Sequence, residues 1–210
     1  MTTHPLFLSL DGLDGTGKST QIALLADWLT ERGWNVICCA DPGGTALGDR
    51  LRELLLKQRH DMSPMAEALL FMASRAELIA RIIRPALDAG SLVLSDRYLL
   101  ATVVYQGHGG GLDVDDLWSI GRRAAGGLVP DLTVVLDLPL AQAQARRGRD
   151  ADRMESRLLD YQERVRQGFL TEAERDPESI RVVSAVGSVG EVQARIRAEV
   201  ERVVAARPRA

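Results

Sequence analysis

Cysteine is nearly missing: Cys38 and Cys39 are the only two in 210 residues. Adjacent cysteines cannot staple distant elements or build a metal cage, which excludes a disulfide scaffold and a structural zinc site. Two small free thiols at a strand end are expected, and with them a reducing cytoplasm. Long apolar runs are missing as well. None approaches the ~20 residues that cross a bilayer, so no membrane partner is expected. The first apolar run, Leu6 to Leu10, has no Lys or Arg before it and stops at Asp11, unlike a secretion signal. Nor is there an excess of positive charge. The 26 Lys and Arg face 29 Asp and Glu, for a net charge of −3, whereas a general nucleic-acid binder would carry a basic balance. Repeats, low-complexity tracts and long linkers are also lacking.

What remains is the composition of an ordinary globular domain, 46% hydrophobic and 26% charged. The length predicts one domain over residues 1–210. Short apolar runs at Leu6–Leu10, Trp34–Cys39, Ser91–Ser95, Leu132–Leu138 and Ser179–Ser184 read as buried strands. Between them lie helical patterns: Lys18–Arg32, Thr45–Lys57, Ser63 to about Leu87, a broken stretch from Leu99 to Gly127, and Val189–Val204. Ser63 is placed to cap its helix, and Pro64 suits the first turn. Strands alternating with crossover helices predict an α/β fold, a five-stranded parallel sheet with helices on both faces.

The first strand runs into Gly12-Leu13-Asp14-Gly15-Thr16-Gly17-Lys18-Ser19, a full match to G-x-x-x-x-G-K-[ST] placed between a strand and a helix. Glycines let the backbone curl until successive N–H groups point inward, and the helix start adds its positive end. Lys18 supplies a charge for the β- and γ-phosphates, and the Ser19 hydroxyl suits Mg²⁺. The loop, with Thr20 behind it, predicts a nucleoside triphosphate site, but does not by itself name a reaction. The guanine-reading Asn-Lys-x-Asp of a GTPase and the Asp-Glu strand end of a motor ATPase are both missing. The third strand ends instead in Ser95-Asp96-Arg97-Tyr98. Ligands bind beyond the carboxyl ends of parallel strands, so Asp96 is a candidate for Mg²⁺ or its waters, and Arg97 for a phosphate clamp.

Taken in order, these segments resemble the bacterial thymidylate kinase family. The resemblance rests on Asp11 to Thr20, Asp41-Pro42-Gly43-Gly44-Thr45, Leu70-Phe71-Met72-Ala73-Ser74-Arg75, Asp96-Arg97-Tyr98, Tyr105-Gln106-Gly107 and Asp152-Arg153-Met154-Glu155. It implies a P-loop nucleoside monophosphate kinase that transfers the ATP γ-phosphoryl group to dTMP, giving dTDP and ADP for dTTP synthesis, with Mg²⁺, as a cytoplasmic homodimer. By matching position, Asp14 would bond the deoxyribose 3′-OH, Phe71 would stack on thymine, and Arg75 would donate to its O4. Arg97 would hold the acceptor phosphate. Thr102, Tyr105 and Gln106 would line the nucleoside pocket, with Tyr105 crowding a 2′-OH.

The residues support part of this independently. Phe71 and Arg75 are four apart and share a helix face. An aromatic plane beside a donor-only guanidinium suits a flat base with a carbonyl edge, and would leave donors unpaired against the cytosine amino group.

The segment 146–157 carries Arg146, Arg147, Arg149, Arg153 and Arg157, and the resemblance makes it a lid. Phosphoryl transfer builds charge that an arginine can stabilise, and the phosphate loop holds none. Arg149 and Arg153 are therefore the candidate catalytic arginines beside Lys18 and Arg97, with Arg147 third. No general base is needed, because a phosphate acceptor is mostly dianionic at pH 7. The chain departs from the family pattern at Ala40, at Asp41 in place of Glu, at Ala101 in place of Ser, and at Asp11 in place of Glu. Without its usual neighbour, Asp41 is expected to seek another partner, Arg97 being the candidate. Two alternatives stay open on the residues alone: a P-loop kinase for another small acceptor, and a nucleotide-binding switch that has lost catalysis.

Overall fold

The computed structural model describes residues 5–56, 62–147 and 155–205, with backbone alone for 144, 146, 147 and 155–158. Five parallel strands form one sheet: β1 (Leu6–Gly12), β2 (Val36–Ala40), β3 (Leu92–Asp96), β4 (Leu132–Asp137) and β5 (Ile180–Ser184), in the order β2-β3-β1-β4-β5. β1 sits at the centre and is buried at every position. Its side chains alternate between two cores. Leu6, Leu8 and Leu10 pack with Leu25, Leu29, Ile196 and Val200 from α1 (Lys18–Glu31) and α9 (Val189–Ala205). Phe7 points to the other face, against Met72, Leu78, Ile83 and Tyr98. A strand covered on both sides is mostly apolar on both, and the exceptions on the Phe7 face, Ser9 and Asp11, are buried and hydrogen-bonded to each other.

The remaining helices are α2 (Ala46–Leu56), α3 (Pro64–Leu78), α4 (Arg84–Asp88), α5 (Leu99–Thr102), α6 (Val114–Ala124), α7 (Leu140–Arg147) and α8 (Glu155–Arg175). Ser63 caps α3 as expected, its side chain accepting from Ala66 N at 3.3 Å. The helix expected to run on to Leu87 does so through a wider π-helical segment, Ile79–Ile83, that joins α3 to α4. Pro85 follows at once. Its ring would crowd the carbonyl four residues back in a regular helix, and a widened turn relieves that. The break expected at Gly107–Gly111 begins earlier, as a second π-helical segment, Val103–Gly109. In parallel register, Leu10 of β1 lies beside Asp96 of β3, and Ala40 of β2 beside the same Asp96. The carboxyl ends of β1, β2 and β3 therefore deliver Gly12, Asp41 and Arg97 to one edge of the sheet.

Candidate active site

A cavity of about 620 Å³ opens at that edge. One wall is the phosphate loop and the start of α1. Gly12 closes β1 with φ 130°, and a β-carbon there would stand 2.5 Å from Leu136 O, so only glycine fits between the central strands. Thr16 Oγ1 donates to Leu13 O at 2.8 Å and holds the curl shut. Lys18 Nζ reaches back along the loop to Gly12 O and Leu13 O, at 3.0 and 2.8 Å. Burial, then the Arg97 charge, lowers its pKa to about 8, against the opposing pull of Asp14. Asp14, Gly15, Gly17, Lys18, Ser19 and Thr20 line the cavity. Gly12, Leu13 and Thr16 do not; Leu13 and Thr16 are buried and shape the loop from behind.

The opposite wall comes from α3, β3 and the segment after it. Phe71 and Arg75 line the cavity from one face of α3, as their spacing predicts. The Arg75 side chain is almost wholly buried and committed on two sides. Its Nε donates to Asp41 Oδ2 at 2.5 Å, and its Nη2 to Thr102 Oγ1 at 2.8 Å and Tyr98 O at 3.3 Å. Nη1 has no partner among the described residues. The partner of Asp41 is thus Arg75 rather than the expected Arg97. The two approach because β2 ends beside α3, whereas Arg97 is turned away toward the phosphate loop.

Arg97 adopts a left-handed backbone, φ 70°, a conformation that costs a non-glycine residue about 1–2 kcal/mol. Its N–H donates to Leu10 O at 2.9 Å, and its carbonyl accepts from Ser95 Oγ at 2.6 Å, which holds it there. The side chain then crosses the cavity floor. Nη2 donates to Asp14 Oδ1 at 2.5 Å and to Tyr105 OH at 3.2 Å, and Nη1 is left over. Asp96, Thr102, Tyr105 and Gln106 line the same space. Beneath it lies Asp11, fully buried, with Oδ2 accepting from Ser9 Oγ at 2.9 Å and Oδ1 without a partner among the described residues. Burial raises its pKa to about 6, with Arg97, the Ser9 hydrogen bond and Lys18 pulling the other way.

Sequence reasoning missed two contributors. Arg52 lines the cavity from α2, its Nη1 donating to Pro42 O at 2.6 Å. Glu67 accepts from Gln106 Nε2 at 2.8 Å. Glu67 stands four residues before Phe71, so extending the Phe71/Arg75 stripe by one turn would have found it. The predicted arginines Arg149 and Arg153 lie outside the described residues, and so do the side chains of Arg146, Arg147 and Arg157.

A chain of this shape has close counterparts. The crystal structure of thymidylate kinase from Ehrlichia chaffeensis superposes with a TM-score of 0.77 at 29% identity, covering 93% of this chain and 98% of that one. Thymidylate kinase from Rhodopirellula baltica is 49% identical over 198 residues, 93% of this chain and 81% of its own length. That of Clavibacter michiganensis subsp. michiganensis is 47% identical over 206 residues, 96% of this chain and 97% of the relative. The family profile described as thymidylate kinase matches residues 10–196, which takes in the phosphate loop, the Arg75 and Arg97 walls and the first half of the closing helix: the chain belongs to the thymidylate kinase family.

Proposed function

We infer that this protein is a dTMP kinase, moving the γ-phosphoryl group of ATP to dTMP to give dTDP and ADP. The observation that carries this reading is a single cavity whose two walls each end in cations. Lys18 stands in the loop that would cradle the triphosphate, and Arg97 and Arg52 stand opposite, where a monophosphate would sit beside Phe71 and Arg75. Between two anions, chemistry reduces to positioning and charge neutralisation. Lys18 would hold the β- and γ-phosphates, Arg97 the acceptor phosphate, and Asp14, tied to Arg97, the deoxyribose 3′-OH. Phe71 would stack on thymine, with Thr102, Tyr105 and Gln106 closing round the nucleoside. Arg149 and Arg153 of the lid would bring further positive charge to the transferring group.

Mg²⁺ fits the donor set. The Ser19 hydroxyl and the Asp96 carboxylate are hard oxygens on the same cavity. Two protein oxygens suit an ion that completes its shell with substrate phosphates and water. When bound, Mg²⁺ offsets phosphate charge. The homodimer reading is supported by apolar side chains exposed on α2 and α3, namely Leu47, Met65 and Leu69. The free thiols of Cys38 and Cys39 suit a cytoplasmic setting. No helix among the described residues is long and apolar enough to cross a membrane.

The test is ADP formation with dTMP, dUMP, dCMP and dGMP side by side, with and without Mg²⁺. dTMP is expected to be turned over fastest, with dUMP, which lacks only a methyl group, next. Faster turnover of dCMP or dGMP, or dTMP binding without ADP release, overturns the reading.

A further inference from the structure

We propose that Glu67 is a positioning residue that fixes the amide of Gln106 and thereby sets which pyrimidine the site accepts. The proposal rests on the reading of this cavity as a dTMP site and assigns its selectivity to a residue behind the pocket wall.

A glutamine side chain is ambiguous by nature. Its carbonyl accepts, its amino group donates, and a half-turn about the last bond exchanges them. A pocket that used a free glutamine would therefore take a base edge of either polarity. Here the choice is made. Glu67 on α3 presents a carboxylate, which only accepts, at 2.8 Å from Gln106 Nε2. The amino group is drawn to Glu67, and the carbonyl oxygen is held on the other side of the same planar amide. Reversal would set carbonyl against carboxylate, two acceptors in a nearly buried setting, since Gln106 is only 7% exposed.

The other polar group of known orientation on this wall is Arg75, anchored through Nε and Nη2 so that its one uncommitted nitrogen can only donate. The wall thus pairs a fixed donor with a fixed acceptor. Thymine carries a carbonyl at C4 and an N–H at N3, the complement of that pair. Cytosine carries an amino group at C4 and a bare nitrogen at N3, the reverse at both atoms. Glu67, Phe71 and Arg75 succeed one another at four-residue intervals along α3. A single helical stripe therefore supplies the stacking ring, the donor, and the group that orients the acceptor.

The experiment compares kcat/KM for dTMP with that for 5-methyl-dCMP, which keeps the methyl group and reverses only the hydrogen-bonding edge. It uses the full-length wild-type protein and the variants Glu67→Gln and Glu67→Ala. A neutral amide at 67 can accept or donate, and alanine does neither, so both free Gln106 to turn. The expected result is at least a tenfold fall in the dTMP to 5-methyl-dCMP ratio in both variants, with the KM for ATP within twofold of wild type. Calorimetric binding of the two nucleotides gives the same ratio without turnover. A purely structural role would lower both rates together and leave the ratio in place. A ratio within twofold of wild type in Glu67→Gln, whose carboxamide keeps the shape of the carboxylate, overturns the proposal. A wild-type protein that uses both nucleotides equally overturns the underlying dTMP reading instead.

Discussion

Replacing Asp11 by Asn should stabilise the nucleotide-free protein near neutral pH and do almost nothing for it in acid. Asp11 is 0% exposed, one of its oxygens has no partner among the described residues, and burial raises its pKa from 3.8 to about 6. A carboxyl group whose folded pKa is raised favours the folded state below pH 3.8, where it is protonated in both states. That advantage is lost as pH climbs through 6. The shift of roughly two units, at about 1.4 kcal/mol per unit, makes the ionised group cost about 3 kcal/mol above pH 6. No solvent reaches Asp11, so no screening discount applies. Asparagine keeps the shape and the bond from Ser9 but never ionises. In a chain of this length 1 kcal/mol moves Tm by about 2–4 °C, so the Asn variant should gain roughly 6–12 °C at pH 7.5 relative to its difference at pH 4. Thermal unfolding followed by circular dichroism from pH 4 to 8 measures this. Other titrating groups cancel in the difference between the two proteins. A Tm difference that does not change with pH would refute the reasoning. The same variant should lose activity, because Lys18 and Arg97 lose a neighbouring negative charge, an exchange of function for stability common at active sites.

Asp41→Ala should do the opposite. It strands the Arg75 guanidinium, 2% exposed beside a carboxylate at 0%, for about 3–5 kcal/mol by the cost of breaking buried pairs; a loss below 1 kcal/mol in urea unfolding would contradict the pairing. Gly12→Ala forces a β-carbon to within 2.5 Å of a backbone oxygen that cannot turn aside, and the chain should be recovered insoluble or with a sharply lowered Tm; a wild-type melting curve would rule this out. Lys18→Ala should lower kcat by about 10²–10³-fold, the scale of losing one well-placed charge donor, with KM for dTMP within a few-fold of wild type by steady-state kinetics. ATP binding near pH 8.5 should take up protons, since Lys18, lowered to about 8 when free, must recharge beside phosphate; calorimetry in buffers of different ionisation enthalpy should show it, and no buffer dependence would count against it.

The fold was legible because parallel strands buried on both faces are written as short, largely apolar runs between helical patterns. The phosphate loop was legible because its glycines and Lys18 act through neighbours in sequence. The family resemblance singles out Phe71 and Arg75, and helical spacing then puts them on one face of α3. Other features could not. Asp41 meets Arg75 across 34 residues of chain, and only the order of strands in the sheet brings β2 beside α3; with that order unknown, Arg97 was an equally reasonable partner. Arg52 looks like any charged residue on an amphipathic helix until α2 is seen to face the cavity. The π-helical segments at Ile79–Ile83 and Val103–Gly109 escape any test for a 3.6-residue period, which remains nearly satisfied on either side of a wider turn.

The two arginines of the acceptor wall share one logic. Arg75 and Arg97 each carry a guanidinium with one nitrogen bound twice, to Thr102 and Tyr98 in one case and to Asp14 and Tyr105 in the other. In each, Nη1 is buried without a partner among the described residues. An unmet buried donor costs about 1–3 kcal/mol, more when charged. Two such donors on one cavity would favour a ligand that brings acceptors to them. The guanidinium planes are already fixed by protein contacts, so the ligand does not have to order them, and little of the contact energy is lost to entropy. On the proposed reading, a nucleotide that offered a phosphate to Arg97 and a base carbonyl to Arg75 would meet both donors at once. One that offered only the phosphate would leave the Arg75 donor unmet, and selectivity for the base would follow from that penalty as much as from any attraction.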